Sequence, residues 1–202
     1  PVRQLREGNW KLFDGGVSPQ DLLQGAIGNC WLVAAMASLA EFPEAVEALF
    51  AQRELAKDGR CEVRLFDCRC RSVALAVDEF IPCHPRAWWD DEGTPLFARP
   101  NGNEAWVLLL EKAFAKMTGS YTALSGGNCC SAFRAFTGER QSFVWARSEG
   151  ETARVDGAWK KMQLADGEDH FVWTPGMEER MDDEQLWDEV RGYDRKSFLV
   201  AC

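Results

Sequence analysis

The spacing of apolar and polar positions changes twice along the chain. Residues 30–40, CWLVAAMASLA, are apolar on nearly every face and rich in alanine, which suits a helix buried all round better than an amphipathic one. Asn29 precedes the run as a candidate N-cap. Pro43 opens a second helix, expected to reach Leu55. The period then becomes two. Residues 61–66 and 73–78 alternate as half-buried strands do, and they are expected to pair as a hairpin. Residues 82–102 hold much of the proline and glycine and read as an irregular loop. A helix is predicted over 104–117, with Trp106, Leu109, Leu110, Ala113 and Phe114 available for a buried face and Gly119 ending it.

Beyond Ser125-Gly126-Gly127 the texture shifts again. Residues 141–145 and 171–173 read as strands with a polar stretch between them, 183–191 as a short helix, and 197–202 as a last strand. No internal repeat is visible. The first part is mainly helical and the second starts a β-rich unit, so the expected class is α+β with a division between 126 and 127.

Composition narrows the function more than the fold. The 202 residues suffice for one large domain or two small ones. Hydrophobic residues at 46% and charged residues at 27% argue for a folded chain. A net charge of −9 and a pI of 4.8 disfavour binding to nucleic acid or an anionic membrane. No apolar run approaches the roughly 18 residues of a membrane span, and no signal peptide is apparent. The sequence opens at Pro1 without methionine and stops just after the apolar run 198–201, as a stretch excised from a longer chain would. Its eight cysteines sit mostly where small apolar residues would serve, and Cys129-Cys130 is a vicinal pair that bridges poorly. Reduced thiols in the cytoplasm are therefore expected. Cys61, Cys68 and Cys70 lack the spacing and the histidine of a structural zinc site.

The strongest chemical signal is Gln24-Gly25-Ala26-Ile27-Gly28-Asn29-Cys30-Trp31-Leu32. A glutamine stands six positions before a cysteine, with two glycines between them and an aromatic residue after. Such an arrangement can set a thiol at the start of a helix beside an amide donor. A cysteine protease needs both groups, a nucleophile of lowered pKa and a hydrogen-bond donor for the oxyanion. Taken alone, a cysteine before Trp-Leu also suits a packed core thiol.

The run QGAIGNCWLVAAMASLA resembles the active-site segment of calpains, calcium-dependent cysteine proteases. NEAWVLLLEKAFAKMTGSYTALSGG is similar to the segment closing their first protease-core subdomain. DGGVSPQDLLQG matches the approach to the cysteine, and LWDEVRGYDRKSFLVAC a segment of the second subdomain. The resemblance implies a papain-like fold, with a helical first lobe and small hairpin over 1–126. Residues 127–202 would be the incomplete start of a β-rich second lobe. It assigns the nucleophile to Cys30 and the oxyanion donor to Gln24, within a Cys-His-Asn site. Asn29 stands where calpains usually carry aspartate. The family's histidine and asparagine fall after the block resembling DRKSFLVAC, where this sequence stops. His84 and His170 match neither position and read as surface or structural residues.

The implied activity is a cytoplasmic, calcium-dependent endopeptidase acting on proteins or peptides, with the stretch in hand inert until the rest of the second subdomain joins it. The alternative is a non-catalytic calpain-like binding or regulatory module. Gly126 and Gly127 would lend backbone to an extended substrate, or else act only as a hinge. By position in the matched blocks, Ca2+ would be held by carboxylates of Asp21 and Glu104 and by carbonyls of Gly16 and Asp14, a hard-oxygen set. Without metal, Glu104 would favour a helix's first turn and Asp21 would cap a turn.

Overall fold

The alanine-rich run forms α1, Cys30–Ala40, and buries Leu32, Ala35, Met36, Leu39 and Ala40. The structure is a computed structural model that describes residues 1–2, 5, 9–84, 93–147, 159–164, 171–172 and 181–201. A second short helix, α2, spans Pro43–Ala48, ending well before the expected Leu55. The chain leaves the helix because the edge of the sheet captures it. Phe50 bridges Val63, Ala51 N–H donates to the Glu62 carbonyl at 3.0 Å, and Arg64 N–H donates to that of Leu49 at 2.7 Å.

The expected hairpin pairs β2, Arg60–Phe66, with β3, Ser72–Asp78, antiparallel from Arg60↔Asp78 to Phe66↔Ser72. Alternation along β2 buries Cys61, Val63 and Leu65 against the core. A smaller antiparallel pair joins β1, Leu22–Leu23, to β4, Arg99–Pro100, so the loop read over 82–102 carries a strand. Residues 85–92 of that loop lie outside the described residues.

Helix α3, Trp106–Thr118, runs through the centre, and Trp106, Val107, Leu108, Leu109, Leu110, Ala113, Phe114 and Ala115 are all buried. It starts two residues later than predicted. Ala105 and Trp106 donate their N–H groups to the carbonyls of Lys11 and Leu12, at 2.9 and 3.1 Å, so the N-terminal segment supplies partners that a helix end otherwise lacks. Gly119 ends it with φ +103°, a left-handed turn that suits glycine.

The expected reading also missed a helix and a longer strand. Helix α4, Cys129–Thr137, is capped by Asn128, whose Oδ1 accepts from Ser131 N–H at 2.8 Å, and it stops at Gly138 in the left-handed region. Its buried Ala132, Ala135 and Phe136 join the same core as α1 and β2. The other is β6, Trp159–Leu164, in the stretch read as polar. It lies between β5, Phe143–Arg147, and β7, Phe171–Val172, in an antiparallel sheet. Lys161 disguised it. Only 8% exposed, Lys161 binds Glu189 at 2.6 Å and lies 4.4 Å over the ring of Phe143, an ion pair and a cation–π contact that together offset burial of its charge.

Helix α5, Asp183–Asp194, opens with a capping box between Asp182 and Gln185 and runs nearly a turn past the expected end. Residues 197–201 form no strand. Phe198 is exposed there, and the Val200 carbonyl accepts from Ser38 Oγ at 2.7 Å. Cys202 lies outside the described residues, and among the described residues no disulfide joins one cysteine to another. Among the described residues no helix is long and apolar enough to cross a membrane.

Candidate active site

Cys30 is the first residue of α1 and is exposed. Trp31, Val33, Ala34, Ala37 and Ser38 are only half-buried, so the expectation of a helix buried all round is corrected to one buried on a single face. Asn29 occupies the N-cap position but does not cap. Its side chain makes no bond to the helix N–H groups, and Nδ2 instead donates to Oε1 of Glu111 on α3 at 2.6 Å. A buried carboxylate is the stronger acceptor and draws the amide inward.

The loop before the thiol is braced on both sides. Ala26 N–H donates to the Leu96 carbonyl at 3.0 Å. Gly25 lies so close to the chain at Phe97 that a β-carbon there would fall 1.7 Å from the carbonyl oxygen. Glycine is required by that approach. Gly25→Ala should therefore cost about 1–3 kcal/mol of stability by chemical denaturation, the range for overpacking; an unchanged midpoint would refute the contact. Gln24 is exposed, and its Nε2 donates to the Ile27 carbonyl at a long 3.4 Å.

Across the cysteine loop, Gly126 N–H donates to the Gly28 carbonyl at 3.0 Å. Gly127 lies on the indole of Trp31, where a β-carbon would come within 2.4 Å of the ring. Trp31 is held by its Nε1 donating to the Leu124 carbonyl at 3.0 Å and by an edge contact with Phe114. The structure thus brings the Gly126-Gly127 strip against the cysteine loop, with both glycines exposed. An exposed thiol can carry out nucleophilic acyl transfer once a base and an oxyanion donor are supplied. His84 is exposed, with its backbone N–H on the Thr94 carbonyl. His170 lies outside the described residues.

Of the four residues expected around a metal, Asp21, Glu104 and the Asp14 backbone come together, and Gly16 stands in the left-handed region with φ +109°. Asp21 and Glu104 have adjoining carboxyls: burial, then the charge of Asp21, pushes Glu104 up to about 7, while Trp106 and the Asp14 backbone pull it down. Trp106 Nε1 donates to Glu104 Oε2 at 2.8 Å, and Ser18 N–H donates to Asp21 Oδ2 at 2.8 Å. The Asp14 side chain turns away to Lys11 at 2.6 Å. Glu104 precedes α3 and pairs with Lys11 in a bridge, so its expected place in a helical first turn is corrected. Among the described residues no three His, Cys, Asp or Glu side chains gather as a metal cluster. Two adjoining carboxyls, one of them buried, nonetheless offer the oxygen donors that a hard cation takes.

Sequence reasoning passed over Glu111. The available signal was a carboxylate inside an otherwise apolar helical run, WVLLLEKAF, at a position 2% exposed.

The chain mixes helices and strands and carries an exposed thiol on the first residue of α1. The profile described as "Calpain family cysteine protease" matches residues 2–202, and the chain belongs to that family. It is 40% identical over 192 residues to the calpain-type cysteine protease ADL1 of Oryza sativa subsp. japonica, covering 95% of this chain and 7% of the relative. The calpain-type cysteine protease DEK1 of Zea mays gives the same identity and coverage. The calpain-1 catalytic subunit of Bos taurus is 36% identical over 126 residues, 61% of this chain and 17% of its own length. The chain thus spans a small part of each of these relatives.

Proposed function

We propose that this chain is the thiol-bearing part of a papain-like, calcium-dependent endopeptidase that acts on proteins or peptides in the cytoplasm. The observation that carries the reading is the exposed Cys30 thiol on the first residue of a core helix, in a chain of a cysteine protease family. The Cys30 thiolate attacks the peptide carbonyl carbon, and the oxyanion is held by the Gln24 amide and the Cys30 backbone N–H. The C–N bond breaks, the amine leaves with a proton from a histidine supplied by the rest of the protein, and water hydrolyses the thioester. Gly126 and Gly127 offer backbone groups to an extended peptide.

Calcium would be held by Asp21 and Glu104 with carbonyls of Gly16 and Asp14, and it would supply the charge that lets both carboxylates ionise together. Asp21→Ala is expected to weaken calcium binding on the order of tenfold or more by calorimetry on the full-length protein, because ligand charge sets affinity. Unchanged binding would overturn the site.

The reading as a whole is tested by labelling the full-length protein with an electrophilic peptide inhibitor, with and without calcium. The expected result is a covalent adduct at Cys30 that forms faster with the ion. Labelling that spares Cys30 and ignores calcium would instead support a non-catalytic module.

A further inference from the structure

We infer that Glu111 is a positioning residue for the thiol site, holding the residue before Cys30 and the strip that braces the Gln24 loop. The inference rests on the assignment of Cys30 as nucleophile and Gln24 as oxyanion donor.

Glu111 is 2% exposed and Asn29 is fully buried. Asn29 Nδ2 donates to Glu111 Oε1 at 2.6 Å, across 82 positions of sequence. On its other side, the Ala98 N–H donates to both carboxylate oxygens, at 3.0 and 3.2 Å. A carboxylate accepts such bonds more strongly than a neutral oxygen does. Asn29 stands at the N-cap position of α1, where its carbonyl accepts from Leu32 and Val33 N–H but its side chain makes no cap bond. It grips α3 instead, leaving its buried Oδ1 without a partner.

Each contact leads straight to a reacting group. Asn29 is bonded to Cys30, so a shift at Asn29 moves the thiol. Ala98 follows Leu96 and Phe97, the residues whose backbone receives Ala26 N–H and abuts Gly25. A shift at Ala98 therefore moves the loop that carries Gln24. One carboxylate thus sets the spacing between nucleophile and oxyanion donor.

Packing alone would not select this residue. Burial pushes the Glu111 carboxyl up to about 7, against the pull of Ala98 N–H and Asn29, and no cation is among those causes. Buried charge of this kind is poor evidence for a stabilising role, since an apolar side chain often serves stability as well. Tyr121, stacked on Phe97 with ring centroids 4.4 Å apart, completes the surroundings. Its hydroxyl is pushed up first by burial and then by the Glu111 charge.

The test uses the full-length protein and the rate of Cys30 adduct formation with a peptidyl electrophile, read by mass spectrometry. Exposed Cys68, alkylated by iodoacetamide, is the internal reference. Glu111→Leu keeps the volume and removes both acceptors. It should slow Cys30 labelling by about 10²-fold, the loss an ångström of misplacement produces, with kcat lowered, KM held and Cys68 unaffected. Glu111→Gln should recover to within about tenfold of wild type, since its carbonyl accepts from Ala98 and its amide can donate to Asn29 Oδ1. Wild-type labelling in Glu111→Leu overturns the inference, as do leucine and glutamine variants that are equally slow. Should the leucine variant not fold, Asn29→Ala decides by the same measure: slowed Cys30 labelling supports the role and a wild-type rate overturns it. Absence of Cys30 labelling in the wild type strikes the assignment of the thiol site itself, a result distinct from any of these.

Discussion

Cys30→Ala should lower kcat of the full-length protein on peptide substrates by about 10⁶-fold, the order of loss seen when a nucleophile is deleted from its catalytic group. The fold should survive. Cys30 is exposed at the end of α1, so losing its sulfur opens no cavity, and a stability change within about 0.5 kcal/mol is expected. Two of the other thiols are poor substitutes for chemical reasons. Burial pushes Cys61 up to about 12 and Cys130 up to about 11, so both stay protonated and unreactive near neutral pH. Cys68 is exposed, but it sits in the turn between β2 and β3 and not at the start of a helix. A variant that keeps more than about a tenth of wild-type kcat would rule out the covalent mechanism.

Gln24→Ala should cost about 2.7–4 kcal/mol of transition-state stabilisation, or 10²–10³-fold in kcat, with KM little changed. The side chain is exposed and its described hydrogen bond, to the Ile27 carbonyl, is long at 3.4 Å. Little holds it where it is, and such contacts often tighten only when substrate arrives. Stability should therefore move by no more than about 0.5 kcal/mol in thermal unfolding. Equal loss of kcat and stability would mean that Gln24 supports the loop and does not act on the oxyanion. Measuring both variants in one background also separates the two roles, since adducts still form slowly in Gln24→Ala and do not form in Cys30→Ala.

Much of the framework could be read before any coordinates. The α1 boundaries follow from an unbroken apolar run with Asn29 before it, and the hairpin follows from two alternating segments of similar length. The elements that escaped share a cause. In α4 the pattern is only nine residues long and contains Arg134, which is 2% exposed; polarity there signalled surface, whereas the arginine reaches the Leu164 carbonyl at 3.4 Å. In β6 two lysines masked a strand, because the rings and carboxylate that shelter Lys161 come from β5 and α5. At residues 197–201 local β propensity met no neighbouring strand to pair with and gave way.

Sequence alone determined that a thiol opens a helix, that an amide and glycines precede it, and which family the chain resembles, because those signals lie within a few covalently linked residues. Only the tertiary structure decided what Asn29 does. Its amide could cap the helix locally or bind an acceptor far along the chain, and the choice depends on α3 bringing Glu111 within 2.6 Å. The same holds for Glu104, whose carboxyl is pushed up by burial and by the Asp21 charge only once folding brings the two together. Hydrogen bonds and charges act through distance in space, and separation along the chain does not reveal it.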